Sequence, residues 1–190
     1  MSKSYGSNLD EYGFERYEES EFPIAYLLTF RTFGTWLHGD YRGSMQRTSD
    51  PRFGTVRLDR HVPLLEKRAA DQKQPAVILT EEQRRCVEAA IRETCDARVY
   101  TLSALNVRTN HAHSVITALI KPEKIVNDLK AYATRRLRTE RLISPESRVW
   151  SRGASTRYLW KPAHVDAAIE YVLHSQGDIP FGVVTEIPED

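Results

Sequence analysis

"ARVYTLSALNVRTNHAHSVITALI" (residues 97–120) decides the fold. Residues 97–107 and 111–120 are rich in β-branched, aromatic and aliphatic side chains, and Arg108, Thr109 and Asn110 interrupt them. Two β-rich runs parted by three polar residues predict an antiparallel hairpin. Along a strand, residues two apart share a side, so His111 and His113 stand in parallel while Ala112 points the other way. Two imidazoles so placed suit two-point ligation of a divalent ion. The plain alternative is a pair of polar residues on a wet strand face.

Upstream of the hairpin, "TEEQRRCVEAAIRETC" (80–95) opens with Thr80 and has Gln83 three residues on, a capping-box start, with Val87, Ala90, Ile91 and Thr94 near helical spacing. "IAYLLTFRTF" (24–33) reads as the first strand, and "GTWLHGDYRGSMQRTSDPRFG" (34–54) as a long loop. Downstream, "KPEKIVNDLKAYATRRLRTERL" (121–142) has Pro122 in the first turn and an apolar stripe of Ile125, Val126, Leu129, Tyr132, Ala133 and Leu137. "STRYLWKP" (155–162) is a predicted strand, and "HVDAAIEYVLHSQG" (164–177) a helix stopped by Gly177. The order predicts an α+β fold: a ferredoxin-like β-α-β-β-α-β sandwich with an antiparallel sheet, both long helices on one face, and an additional C-terminal helix. Residues 1–21 read as an acidic, disordered tail, 22–180 as a single domain, and 181–190 as a C-terminal tail.

Composition narrows the class. With 41% hydrophobic and 28% charged residues, the chain is globular rather than disordered or fibrous. No apolar run approaches the roughly 20 residues that cross a bilayer, and the first residues lack the apolar core of a signal peptide, so a cytoplasmic place with no membrane partner is expected. Cys86 and Cys95 fall on one predicted helix, roughly 13 Å apart at about 1.5 Å per residue, beyond disulfide reach, and two cysteines so placed cannot make a Cys-type zinc site. Residues 1–21 hold six acids against two bases, whereas residues 121–161 hold eleven Lys or Arg against four acids. Such a basic stretch suits phosphate, although a solvated helix face accounts for it equally well.

A chemical partner for the histidines lies in "EYVLHSQGD" (170–178), where Tyr171 precedes Gln176. A tyrosine phenol ionises near pH 10 and is a poor nucleophile at neutral pH. It becomes useful when a metal polarises the phosphate it attacks. Tyr132 is the other candidate, but it lies on the apolar stripe and reads as packing. His38 and Asp40 read as turn residues beside Gly39 and Gly43. Arg31, Arg42 and Arg47 are candidates for phosphate contact and Trp36 for base stacking. "WSRGASTRYLW" (150–160) interleaves Arg152 and Arg157 with Trp150, Tyr158 and Trp160 in the same way.

In His111-Ala112-His113, the "LKAYATRRLR" helix, and the late helical Tyr171 with Gln176, the chain resembles the single-tyrosine HUH transposases, the insertion-sequence group that includes the REP-associated tyrosine transposases. The resemblance runs from about Ala25 to Gly177. It implies a homodimer that cuts single-stranded or hairpin-forming DNA. His111, His113 and a polar side chain after the tyrosine would bind Mg²⁺ or Mn²⁺, and Tyr171 would form a 5′-phosphotyrosine link and leave a free 3′-OH. Gln176 is the implied third donor, with His174 or Ser175 as alternatives because five residues separate Tyr171 from Gln176. Lys130, Arg135, Arg136 and Arg138 would hold the DNA backbone. The long loop and the acidic tail are extra to the smallest members of the group. A domesticated hairpin-binding protein of the same fold that does not cut, and a plain protein-interaction domain, are the other readings.

Overall fold

The computed structural model describes residues 22–35, 44–45, 57–58 and 74–175. Trp36, His38, Asp40, Arg42, Arg47, Gln176 and Gly177, and both terminal tails, lie outside them. The elements in chain order are β1 (Ala25–Arg31), β2 (Ser44–Met45), β3 (Arg57–Leu58), α1 (Glu81–Arg98), β4 (Thr101–Val107), β5 (His111–Thr117), α2 (Pro122–Thr139), β6 (Ser155–Leu159) and α3 (Pro162–His174). Among the described residues, β2 and β3 pair only with each other. Two-residue strands are too short to leave an alternating pattern, so β2 was hidden in the stretch that reads as loop.

The main sheet runs β4-β5-β1-β6 with every neighbouring pair antiparallel, the ferredoxin-like order. One face buries Tyr26, Leu28, Phe30, Leu105, Val107, Ala112 and Ile116 under α1 and α2. The other face carries Ala25, Ala104, Val115 and Leu159 under Ala168 and Val172 of α3. Among the described residues the layers are therefore helices, sheet, helix, with the helix that bears Tyr171 alone on its side.

Local chemistry sets the element ends. Thr80 caps α1 by accepting from the Gln83 backbone N–H while the Gln83 side chain accepts from Thr80 N–H. The helix runs on to Arg98, past Cys95 where the spacing pattern ends, and turns at Val99 in the left-handed region (φ 57°). Ala97 and Arg98, expected in the strand, are thus the last residues of the helix. α2 and α3 both start on a proline, whose missing N–H is no loss in the first turn. For α3 this places the start at Pro162, two residues before the expected one.

A bulge at Ser103 interrupts the pairing of β4 with β5, since Leu102 faces Ile116 and Ala104 faces Val115. Leu102 packs against the α1/α2 side of the sheet, yet Ala104, two residues on, belongs to the α3 side. The extra residue switches the alternation for the rest of the strand. Leu105 and Val107 consequently enter the larger core, and Asn106 faces α3 beside His113.

Candidate active site

His111 and His113 occupy the first and third positions of β5, on the α3 side of the sheet, and their ring centroids are 4.5 Å apart. The strand alternation thus does what the sequence implied. Tyr171 comes to them from α3, its ring centroid 5.6 Å from that of His113 in an edge-to-face arrangement. Tyr171 is 41% exposed and His113 only 6%, so the phenol stands at the rim of the site while the imidazole beneath it is buried.

Each histidine is held from behind. The Nδ1 atom of His111 lies 2.6 Å from Asn110 Oδ1, an oxygen that only accepts, which fixes the ring proton on Nδ1. Nδ1 of His113 is 2.7 Å from the hydroxyl of Thr29, its cross-strand neighbour on β1. The proton on Nδ1 leaves the His111 lone pair on Nε2, and the Thr29 hydroxyl, which can donate or accept, orients the His113 ring. Asn110 is itself anchored, because its carbonyl accepts from Thr32 N–H and from the Thr32 hydroxyl at 2.9 and 3.0 Å. Leu79 N–H donates to Thr109 O at 2.7 Å and steadies the same turn. Thr29 and Asn110 escape sequence reasoning in different ways. Asn110 adjoins the pair in the chain, whereas Thr29 is 84 residues away and only the β1–β5 register brings it in.

Asn106 is fully buried between β4 and α3, where its Nδ2 donates to the carbonyl oxygen of Val172 at 3.0 Å. Val172 follows the tyrosine directly, and Asn106 sits opposite His113 in the β4–β5 ladder. An asparagine between Leu105 and Val107 in a strand is the signal that could have drawn attention to it, since asparagine is depleted from strands.

Two imidazoles with anchored Nδ1 atoms fit a divalent ion that takes nitrogen and oxygen donors. No group of three or more His, Cys, Asp or Glu able to hold a metal occurs among the described residues. His174 does not join the pair; it points along α3 toward Glu170, 3.8 Å away. Ser175 ends the helix, and Gln176 lies outside the described residues.

The basic residues divide between the two sides of the sheet. Arg31 and Arg157 share the histidine face, Arg31 opposite His111, and Arg157 on edge strand β6 opposite Leu27. Arg157 and Arg152 are exposed. Lys130, Arg135, Arg136 and Arg138 ride on α2, across the sheet from Tyr171. Lys130 donates to Ser151 O and Gly153 O, and burial, helped by Arg148, lowers its pKa to about 8. Arg136 pairs with Glu93 and Glu140. Lys130, Arg135 and Arg138 line a groove of about 600 Å³ with Asn127, Thr134 and Trp150. Tyr132, expected in the core, instead lies at the surface with the guanidinium groups of Arg98 and Arg135 at 5.8 and 5.0 Å from its ring. Tyr158 and Trp160 stack on each other at the β6 edge.

No curated protein matches the chain in sequence. Among solved structures it is similar to a REP-associated tyrosine transposase bound to a REP hairpin, with 10% identity and a TM-score of 0.47 over 84% of this chain and 71% of that one. It is also similar to a candidate transposase from Deinococcus radiodurans R1, with 15% identity and a TM-score of 0.44 over 86% of this chain and 98% of that one. The model of the family described as IS200-like transposases matches residues 71–172, the stretch that holds His111, His113 and Tyr171 and more than half of the chain. This chain belongs to the IS200-like transposase family.

Proposed function

We propose that the chain cuts and rejoins single-stranded or hairpin-forming DNA, with Tyr171 as the nucleophile and His111 and His113 as ligands of a divalent metal. The observation that carries this reading is the meeting of three rings from one chain, two imidazoles from β5 and one phenol from α3. Tyr171 Oη forms a bond to the scissile phosphorus and the bond from phosphorus to the 3′-oxygen breaks. The hydrogen lost by the phenol balances the one gained by the released 3′-hydroxyl. The DNA is left as a 5′-phosphotyrosine ester, which keeps the energy of the phosphodiester and lets another 3′-hydroxyl reverse the step without ATP.

Mg²⁺ or Mn²⁺, held by the Nε2 atoms of His111 and His113 with Gln176 as third protein donor, would neutralise charge building on the phosphate oxygens. Asn110 keeps His111 in the ligating tautomer and Thr29 orients the His113 ring. Arg31 and Arg157, on the same face, guide the incoming strand by phosphate contacts.

A nicking assay with Mn²⁺ on single-stranded oligonucleotides, followed by mass spectrometry of the denatured protein, tests the reading. The wild-type chain is expected to yield a DNA adduct on the peptide containing Tyr171. Tyr171→Phe should give none, with DNA affinity unchanged, and His113→Ala should slow cleavage on the order of 10²–10³-fold. Adduct-free wild-type protein that still binds hairpins tightly would instead mark a non-cleaving hairpin binder.

A further inference from the structure

We propose that Asn106 is the positioning residue that sets the tyrosine helix against the histidine pair. The proposal rests on Tyr171 being the nucleophile. Helix α3 meets the sheet through Ala168 and Val172, with Val165, Ile169 and Leu173 partly buried around them. Small and aliphatic contacts are non-directional, so they hold the helix down without fixing its rotation or its slide along the sheet. One residue of slippage turns a helix by about 100°, which would carry the phenol away from the imidazoles. A directional bond removes that freedom. Asn106 supplies one from a fully buried site in the rigid sheet, through Nδ2 to Val172 O, in the last turn of α3 where carbonyls run short of helical donors. Its strand partner is His113, so a single cross-strand pair carries a metal-ligand candidate on one side and the anchor of the nucleophile's helix on the other. The bulge at Ser103 delivers Asn106 to this face, and bulges are commonly found where a strand must re-aim a side chain near a site.

The experiment compares wild type with Asn106→Asp, which keeps the shape but loses the amide donor, and Asn106→Leu, which keeps the volume and removes all polarity. A 3′-labelled, hairpin-forming single-stranded oligonucleotide serves as probe, under single turnover with Mn²⁺. The adduct on Tyr171 is read as a rate constant at saturating protein, a half-saturating concentration and a final amplitude. Both variants should lose roughly 10²-fold in rate constant, the scale of a misplacement of about 1 Å. Their half-saturating concentration should stay within about threefold of wild type and their amplitude should be retained, a split that lost folding alone would not produce. If Asn106→Leu fails to fold, the isosteric Asn106→Asp carries the test. A wild-type rate constant in the variants, a loss confined to amplitude, or a parallel rise in half-saturating concentration overturns the positioning role while leaving the nucleophile intact. A wild-type chain that forms no adduct on Tyr171 overturns the nucleophile and this proposal together.

Discussion

At the scale of single residues, the cluster of His111, His113 and Tyr171 is backed by side chains that orient it. Thr29 and Asn110 meet the histidines at their Nδ1 atoms; Asn110 sets which nitrogen of His111 presents a lone pair, and Thr29 orients the His113 ring. Replacing such an outer partner typically weakens metal affinity 10–100-fold. Thr29→Val should therefore raise the Mn²⁺ concentration needed for half-maximal nicking by about that factor, with the maximal rate nearly recovered at saturating metal. A titration of cleavage rate against Mn²⁺ measures both. The histidine pair was legible in the sequence because strand alternation is a local rule, and Tyr171 because the family resemblance pointed to it. Thr29 and Asn106 were not, because their roles come from pairing between strands distant in the chain and from a bulge that no local pattern announces.

Among the elements, the joint between α1 and β4 shows where sequence reading fails and why. Helices commonly close with glycine in the left-handed conformation, but here Val99 fills that place with φ 57° and its side chain exposed. With no glycine as punctuation, the β-rich run predicts a strand from Ala97, whereas the helix continues to Arg98. A β-branched residue in that region costs about 1–2 kcal/mol relative to glycine. Val99→Gly is expected to stabilise the fold by about 1 kcal/mol, read as a rise in the urea midpoint with an unchanged slope. The start of α1 was readable for the opposite reason, since Thr80 and Gln83 announce a capping box and form one. The apolar stripe of α2 likewise foretold its buried face. It did not foretell Tyr132, which sits at the margin of the stripe where Arg98 and Arg135 cover it.

For the whole molecule, the sheet separates two basic surfaces, and their contributions to binding are predicted to differ. Arg157, exposed on the histidine face, should contribute a phosphate contact, so Arg157→Ala is expected to reduce the slope of log affinity against log salt by about one. Arg136 is already matched by Glu93 and Glu140, and Arg136→Ala should leave that slope unchanged while disturbing the contact between α1 and α2. Fluorescence anisotropy of a labelled hairpin across a salt series distinguishes the two. Folding stability has its own pH signature. Burial, aided by a hydrogen bond with Glu140, pushes the Cys86 thiol up to about 12, and burial raises that of Cys95 to about 11. The unfolded chain gives up these protons near the ordinary value of 9, so the stability they carry is complete below pH 9 and drains away as pH rises through 11 and 12. Cys95→Val should flatten that alkaline decline in urea melts made between pH 8 and 11. The order of elements and the layering were largely legible because helical and strand periods differ. The division of charge between faces was not, because it depends on which side of a shared sheet each helix settles.

The bulge at Ser103 gives the strand a change of phase that ties two needs to one atom count. On its N-terminal side Leu102 obeys one parity, and on its C-terminal side Leu105, Asn106 and Val107 obey the other. Drawing Ser103 into regular alternation would force a choice: either Leu102 swings away from the oily interior, or Leu105 and Val107 do and Asn106 is driven into it. The core and the placement of Asn106 against α3 thus both depend on that one residue staying out of the ladder.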